Sequence, residues 1–391
     1  MAFREKTTFV IGAGASAEFG LPVGSGLAAE IKKTAMFESD DRDNPSHGLL
    51  RELLYTKCKV GAEESAAKKA LHDIHEGIQT AVSIDAFIHR HGADANISYW
   101  GKVLIALEVL KAERNSSLST LTWPEFAGDP NLVLENAGKK LINPDYTWIG
   151  HFFRILSDGV ADYNDLGKDI TIICFNYDRC IEVYLAETIA DAYRISIETA
   201  LRVVKNNIKI IHPYGYLGEL ALVSGSPGKD RLGFGSALHQ PKEISLIADH
   251  IHTYTEQAHD ATKVWSIHEA IAECKNLIFL GFGFNNQNLD LLRVKTRFNG
   301  SAHPKNIYAT CFGLYPQIKE TLTRRILDLF IDEPEHRGWL SRVNLEFGVG
   351  CAELFRIHDM NFSSFIQRYI RLEQEMRGMV SKVERYSPYI K

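Results

Sequence analysis

The chain has 391 residues, 45% of them hydrophobic and 24% charged, a balance that fits an ordinary folded protein and excludes a disordered or fibrous one. Lys plus Arg number 44 against 49 Asp plus Glu, a net charge of −5, so no global basic field points to nucleic acid and no direct nucleic-acid binding is expected. The length exceeds the usual single core, which predicts one α/β domain carrying a large insertion, or two domains.

The polar start, Met1 to Thr8, runs straight into the first strand, so no secretory signal is expected. No apolar run approaches the roughly 20 residues that span a bilayer. A cytoplasmic protein with no membrane partner is the expectation. Thr7 to Ile11 reads as a buried strand, and it breaks into Gly12-Ala13-Gly14-Ala15-Ser16 before a helix-forming segment. The spacing Gly12, Gly14, Ala17 satisfies G-x-G-x-x-G/A, in which unpaired backbone N–H groups at a helix start can hold an anionic diphosphate. On its own this is a weak signal, equally met by a plain strand-turn-helix corner.

Residues 39–166 carry almost no strand pattern. Ile97, Trp100, Val103, Leu104, Leu107 and Leu110 recur at helical spacing, as do Trp148, Phe152, Ile155 and Leu156, which predicts a helical insertion from Ser39 to Leu166. Four more segments then read as buried strands: Asp169 to Phe175, Ile208 to Ile211, Asn276 to Leu280 and Asn306 to Cys311. Several precede helical patterns, so the fold class expected is α/β: a Rossmann-like parallel sheet with helices on both faces and the ligand at the strands' carboxyl ends. A sixth strand is placed at Glu353 to Ile357, a surface loop at Gly225 to Lys229, and a charged helix at Phe365 to Arg385. The expected division is a core of residues 1–38 and 167–312, the insertion 39–166, and a mainly helical extension 313–391 packing on the core.

Polar residues stand at several of these strand ends. The second strand stops at Asn176-Tyr177-Asp178, the third at His212-Pro213-Tyr214-Gly215, and the fourth at Gly281-Phe282-Gly283-Phe284 followed by Asn285-Asn286. In a parallel sheet such positions share one edge, where α/β enzymes assemble their sites. Six cysteines, Cys58, Cys174, Cys180, Cys274, Cys311 and Cys351, are scattered without a C-x-x-C pair, so neither a disulfide framework nor a zinc ribbon is indicated.

Read together, Gly12 to Ser16 with Gly20-Leu21-Pro22, then Phe175 to Asp178, then Ile211 to Gly215, then Phe279 to Phe284 resemble the sirtuin-like NAD-binding family in order and rough position. The resemblance covers the core, about half the chain. It implies that Gly12, Ala13, Gly14 and Ser16, with Gly281, Phe282 and Gly283, hold the diphosphate and adenosine half of NAD. It also implies that Asn176 and Asp178 occupy the nicotinamide-ribose pocket and that His212 is the catalytic histidine. Sirtuin deacylases carry two C-x-x-C pairs for zinc and continue the first loop as Gly-Ile-Pro-Asp-Phe-Arg; this chain has neither, reading Gly20-Leu21-Pro22-Val23-Gly24-Ser25. The remaining pattern, with Ser83-Ile84-Asp85-Ala86-Phe87 in the insertion, is similar to the prokaryotic sirtuin-like proteins of antiphage systems, members of which hydrolyse NAD+ and deplete it.

What the resemblance implies is an NAD+ glycohydrolase releasing nicotinamide and ADP-ribose, with NAD+ as substrate and no metal. Asn176 would orient a ribose hydroxyl or the attacking water, and Asp178 would bind the carboxamide. His212, at an ordinary pKa of about 6.5, would accept a proton. The carboxamide half of the dinucleotide would then lie between the imidazole and the Asn176 amide. A homo-oligomer, or a complex with a defence partner such as a translocase ATPase or nucleotide-processing enzyme, is implied by analogy. A non-catalytic subunit sensing NAD or ADP-ribose stays open, as do ADP-ribosyl transfer and deacylation. Each residue also has a structural reading: Asn176 as a turn former, Asp178 as a cap of the next helix, His212 as a core histidine, and Asp85 as an N-cap. His72 and His75 are spaced to share a helix face but lack further metal ligands.

Overall fold

The computed structural model describes residues 3, 5–36, 45–59, 61–81, 83–119, 133–136, 139–221, 231–236, 241–254, 256, 260–295, 304–330 and 340–362. The loop expected at Gly225 to Lys229 and the helix expected at Phe365 to Arg385 lie outside the described residues.

Six strands make one parallel sheet: β1 (Thr7–Ile11), β4 (Ile170–Cys174), β5 (Lys209–Ile211), β8 (Asn276–Leu280), β9 (Asn306–Cys311) and β10 (Val343–Phe347). Two short pairs stand apart from it, an antiparallel hairpin of β2 (Val133–Asn136) and β3 (Lys139–Ile142), and a parallel contact of β6 (Glu219–Leu220) with β7 (Arg231–Leu232). The order across the main sheet is β10-β9-β8-β1-β4-β5. The chain therefore steps outward from β1 through β4 to β5, returns to β8 on the other side of β1, and steps outward again, so the strand order reverses between β1 and β8. That is the doubly wound, Rossmann-like arrangement, a fold in which ligands generally bind outside the carboxyl ends at the reversal.

The helices are α1 (Ala13–Ser16), α2 (Gly24–Ala35), α3 (Pro45–Lys57), α4 (Ala62–Gly77), α5 (Ile84–Arg90), α6 (Ala95–Arg114) and α7 (Trp148–Ser157) before β4. After it come α8 (Cys180–Tyr193), α9 (Ile197–Asn207), α10 (Pro241–Ala248), α11 (Ala261–Glu273), α12 (Asn286–Leu292), α13 (Lys319–Leu327) and α14 (Cys351–Phe362). Strand side chains alternate between the faces. Val10, Ile173, Leu277, Phe279 and Ile307 pack with residues of α2 to α6 and α10 to α13. Phe9, Ile11, Ile172, Ile278 and Leu280 pack with α7, α8, α9 and α14 on the other face. Both faces are covered, which is why each central strand reads as an unbroken apolar run rather than an alternating one.

The helices start where their sequences say they should. Asp94 accepts from the Asn96 and Ile97 N–H groups at the head of α6, and Ser83 accepts from Ala86 at the head of α5. Ser83, and not Asp85, is therefore the N-cap. The residues 39–166, read from sequence as one insertion, serve both faces: α3 to α6 lie on one, and α7 lies on the other with Phe152 edge-on to Phe9 at 5.2 Å. Glu353 to Ile357 is not a strand but part of α14. Cys351, Leu354, Phe355, His358 and Phe362 are buried at three- and four-residue spacing, while the sixth strand is Val343–Phe347, where buried Val343 and Leu345 alternate with half-buried Asn344 and Glu346. Among the described residues no helix is long and apolar enough to cross a membrane.

Candidate functional site

At the reversal point the first glycine turn meets the fourth strand's turn directly. The Gly12 N–H donates to the Leu280 carbonyl and the Gly14 N–H to the Gly281 carbonyl, each at 3.0 Å. A Cβ on Gly14 would fall 2.8 Å from Gly281 Cα, and Gly281 itself has φ +56° with its Cβ position 2.0 Å from the Ala15 nitrogen. These glycines let two backbones touch, and two of the N–H groups expected to face a phosphate are spent on that contact. The Gly281 N–H is also engaged, by the Thr310 hydroxyl at 2.8 Å. Ala13 and Gly14 stay half-buried and Gly283 is exposed, whereas the Phe282 ring belongs to the core, within 5.2 Å of Phe175 and Phe284 ring centres.

Three of the expected site residues converge beside that turn. The Asn176 amide, 7% exposed, donates to the Gly12 carbonyl at 3.1 Å and to the Ser16 hydroxyl at 2.9 Å. Beside them the Asp178 carboxylate accepts the Cys180 N–H at 3.2 Å in the first turn of α8. Burial pushes the Asp178 carboxyl up, against the lowering effect of Cys180 and Ser16 beside it. Asn176, Ser16 and Asp178 are thus buried polar residues at the ends of β1 and β4, the first two hydrogen-bonded to each other, and Asp178 serves as the helix-start acceptor that its position allows.

His212 joins this group through backbone, not through the Asn176 side chain. Its Nδ1 lies 3.1 Å from the Asn176 carbonyl oxygen, its Nε2 lies 2.8 Å from Glu182 Oε1, and its ring stacks on Tyr216 at 4.7 Å. The ring and the Asn176 amide therefore face different neighbours, where the sequence reading sets them on either side of one carboxamide. Burial works against the charged imidazole, but the Cys174 sulfur and the Glu182 carboxylate beside it prevail and raise the His212 pKa well above its ordinary value.

His212, Glu182 and Tyr216 line a cavity of about 1230 Å³ along β5, with Arg202, Lys205 and Glu219 also in its lining. Asn176, Asp178 and the two glycine turns are not among its lining residues. Glu182 Oε2 is buried with no hydrogen-bond partner. Sequence reasoning missed Glu182; the available signal was an acid in the first turn of the helix that follows the Asn176 strand.

Two further pairs frame the strand ends. Arg179, next to Asp178, is fully buried against Glu113 of α6, with its Nη2 2.6 Å from Oε2 and its Nε 3.1 Å from Oε1. The rest of its fork donates to the Leu232 and Gly233 carbonyls. The Tyr177 hydroxyl donates to Asp85, which brings the insertion over the same strand end. Burial raises the Asp85 carboxyl despite that bond. His75 Nδ1 meets the Lys32 carbonyl at 2.7 Å, so this histidine ties α4 to α2. Among the described residues no group of three or more His, Cys, Asp or Glu could hold a metal ion. No protein-family model and no curated protein matches the chain.

Proposed function

We propose that the chain is an NAD+ glycohydrolase, cleaving NAD+ to nicotinamide and ADP-ribose as the sirtuin-like resemblance implies. The observation that supports this most is the group of buried polar residues Ser16, Asn176 and Asp178 at the reversal point of a doubly wound sheet, with His212 at the end of the adjoining strand. Nicotinamide in NAD+ is a cationic leaving group, so the reaction needs positioning, a stabilised oxocarbenium-like sugar and a proton acceptor more than it needs an acid. On this reading Asn176 and Asp178 hold the strand ends from beside the cavity, and the pair of His212 and Glu182, which lines it, is the proton-handling group. On the same reading the protein acts in the cytoplasm as an antiphage effector restrained by self-assembly or a partner.

The test is direct. Purified chain incubated with NAD+ releases nicotinamide and ADP-ribose, followed by chromatography, and Asn176→Ala slows this about 100-fold or more. No product from the unmodified chain, alone and with the proteins encoded beside it, overturns the reading. A second reading is favoured by the two acceptors on His212, which occupy both ring nitrogens: a subunit that binds NAD or ADP-ribose without turnover. Saturable binding of both ligands with no product would select it.

A further inference from the structure

Each nitrogen of the His212 ring faces an acceptor. The Asn176 carbonyl oxygen beside Nδ1 has no proton to give, so Nδ1 carries hydrogen. An ionised carboxylate is likewise an acceptor only, so Nε2, 2.8 Å from Glu182 Oε1, carries hydrogen too. The ring is then an imidazolium paired with a carboxylate. The other groups packed on it are the Cys174 thiol from β4, which burial pushes up while the His212 ring draws it down, and the Tyr216 phenol stacked on its face. Glu198, Arg202, Lys205 and Glu219 line the cavity that the pair opens on.

An imidazolium has no lone pair left for a proton. Within the pair, one acceptor remains: the Glu182 carboxylate, whose side chain is 16% exposed and lines the cavity, its Oε1 on His212 and its Oε2 buried without a partner. We infer that Glu182 is the proton-accepting residue of the site, holding His212 as a fixed N–H donor and taking the proton that the attacking water gives up. The inference rests on the NAD+ glycohydrolase reading for its reaction. In that reaction a water O–H bond breaks and its proton goes to Glu182, while the water oxygen bonds ribose C1. The C1–N bond breaks, and its electron pair leaves on the nicotinamide nitrogen.

The experiment has two readouts on the full chain. Nitrogen-15 spectra of labelled histidine, assigned with His212→Gln, report the ring between pH 5 and 9. The wild-type ring holds both protons at pH 7.5, and in Glu182→Gln it becomes neutral by that pH. NAD+ turnover over the same range persists below pH 7, where a histidine base would be shut off. It falls about 100-fold or more in Glu182→Gln and is partly restored in Glu182→Asp. A neutral His212 in the wild type at pH 7.5, or Glu182→Gln turning over at the wild-type rate, overturns the inference. A chain that cleaves no NAD+ under any condition overturns the proposed function and with it the proton-accepting role of Glu182, while a neutral ring in the spectra of a chain that does cleave NAD+ overturns the inference alone.

Discussion

Glu113 and Arg179 place two full charges where neither meets water, and both are satisfied: Glu113 takes the Arg179 N–H, Nε and Nη2 together with the Gly235 N–H. A pair this deep gains little over an apolar pair of equal volume, yet removing one partner strands the other. Glu113→Ala is therefore expected to cost about 3–5 kcal/mol, read from urea unfolding, while replacing both residues by apolar ones of similar size recovers most of it. A loss below about 1 kcal/mol in the single variant would show that water reaches the guanidinium. The position matters beyond stability, because Arg179 follows Asp178 directly and its backbone N–H is one of the four donors that Glu113 holds.

Among the elements, the glycine turns separate two uses of one residue type. Gly14 lies against the Gly281 backbone, whereas Gly24, the first residue of α2, has nothing within 4 Å of a Cβ. Gly14→Ala should lower the thermal midpoint sharply, since neither backbone can yield, and Gly24→Ala should raise stability by about 0.4–1 kcal/mol through a smaller unfolded-state entropy. Equal midpoints for the two variants would contradict the contact. Central strands such as Thr7–Ile11 and Asn276–Leu280 are legible from sequence because burial on both faces writes them as apolar runs between polar residues. The window Glu353 to Ile357 is too short to separate a period of 2 from one of 3.6, and only Cys351 and Phe362 outside it reveal a helix. Asn176, Asp178 and His212 could be brought to one edge by strand order alone. Glu182, Glu113 and Asp85 could not, because each acts on a partner 30, 66 or 92 residues away, and side-chain pairing over such distances leaves no local pattern.

At the scale of the whole molecule, one carboxylate joins segments far apart in the chain. Glu18 accepts the Trp148 N–H at 2.9 Å and the Ala352 N–H at 2.8 Å, serving the first turns of α7 and α14 at once. Burial pushes its carboxyl up while those donors draw it down. Glu18→Ala removes an acceptor worth about 0.5–2 kcal/mol at each helix start. Hydrogen exchange should then quicken in the first turns of both helices together; quickening at one alone would mean that they are held separately.

The Trp148 indole adds a second tie, donating to the Ala15 carbonyl at 3.0 Å. Hydrogen bonds thus run from the segment that carries Ser16 to a helix that begins more than three hundred positions downstream.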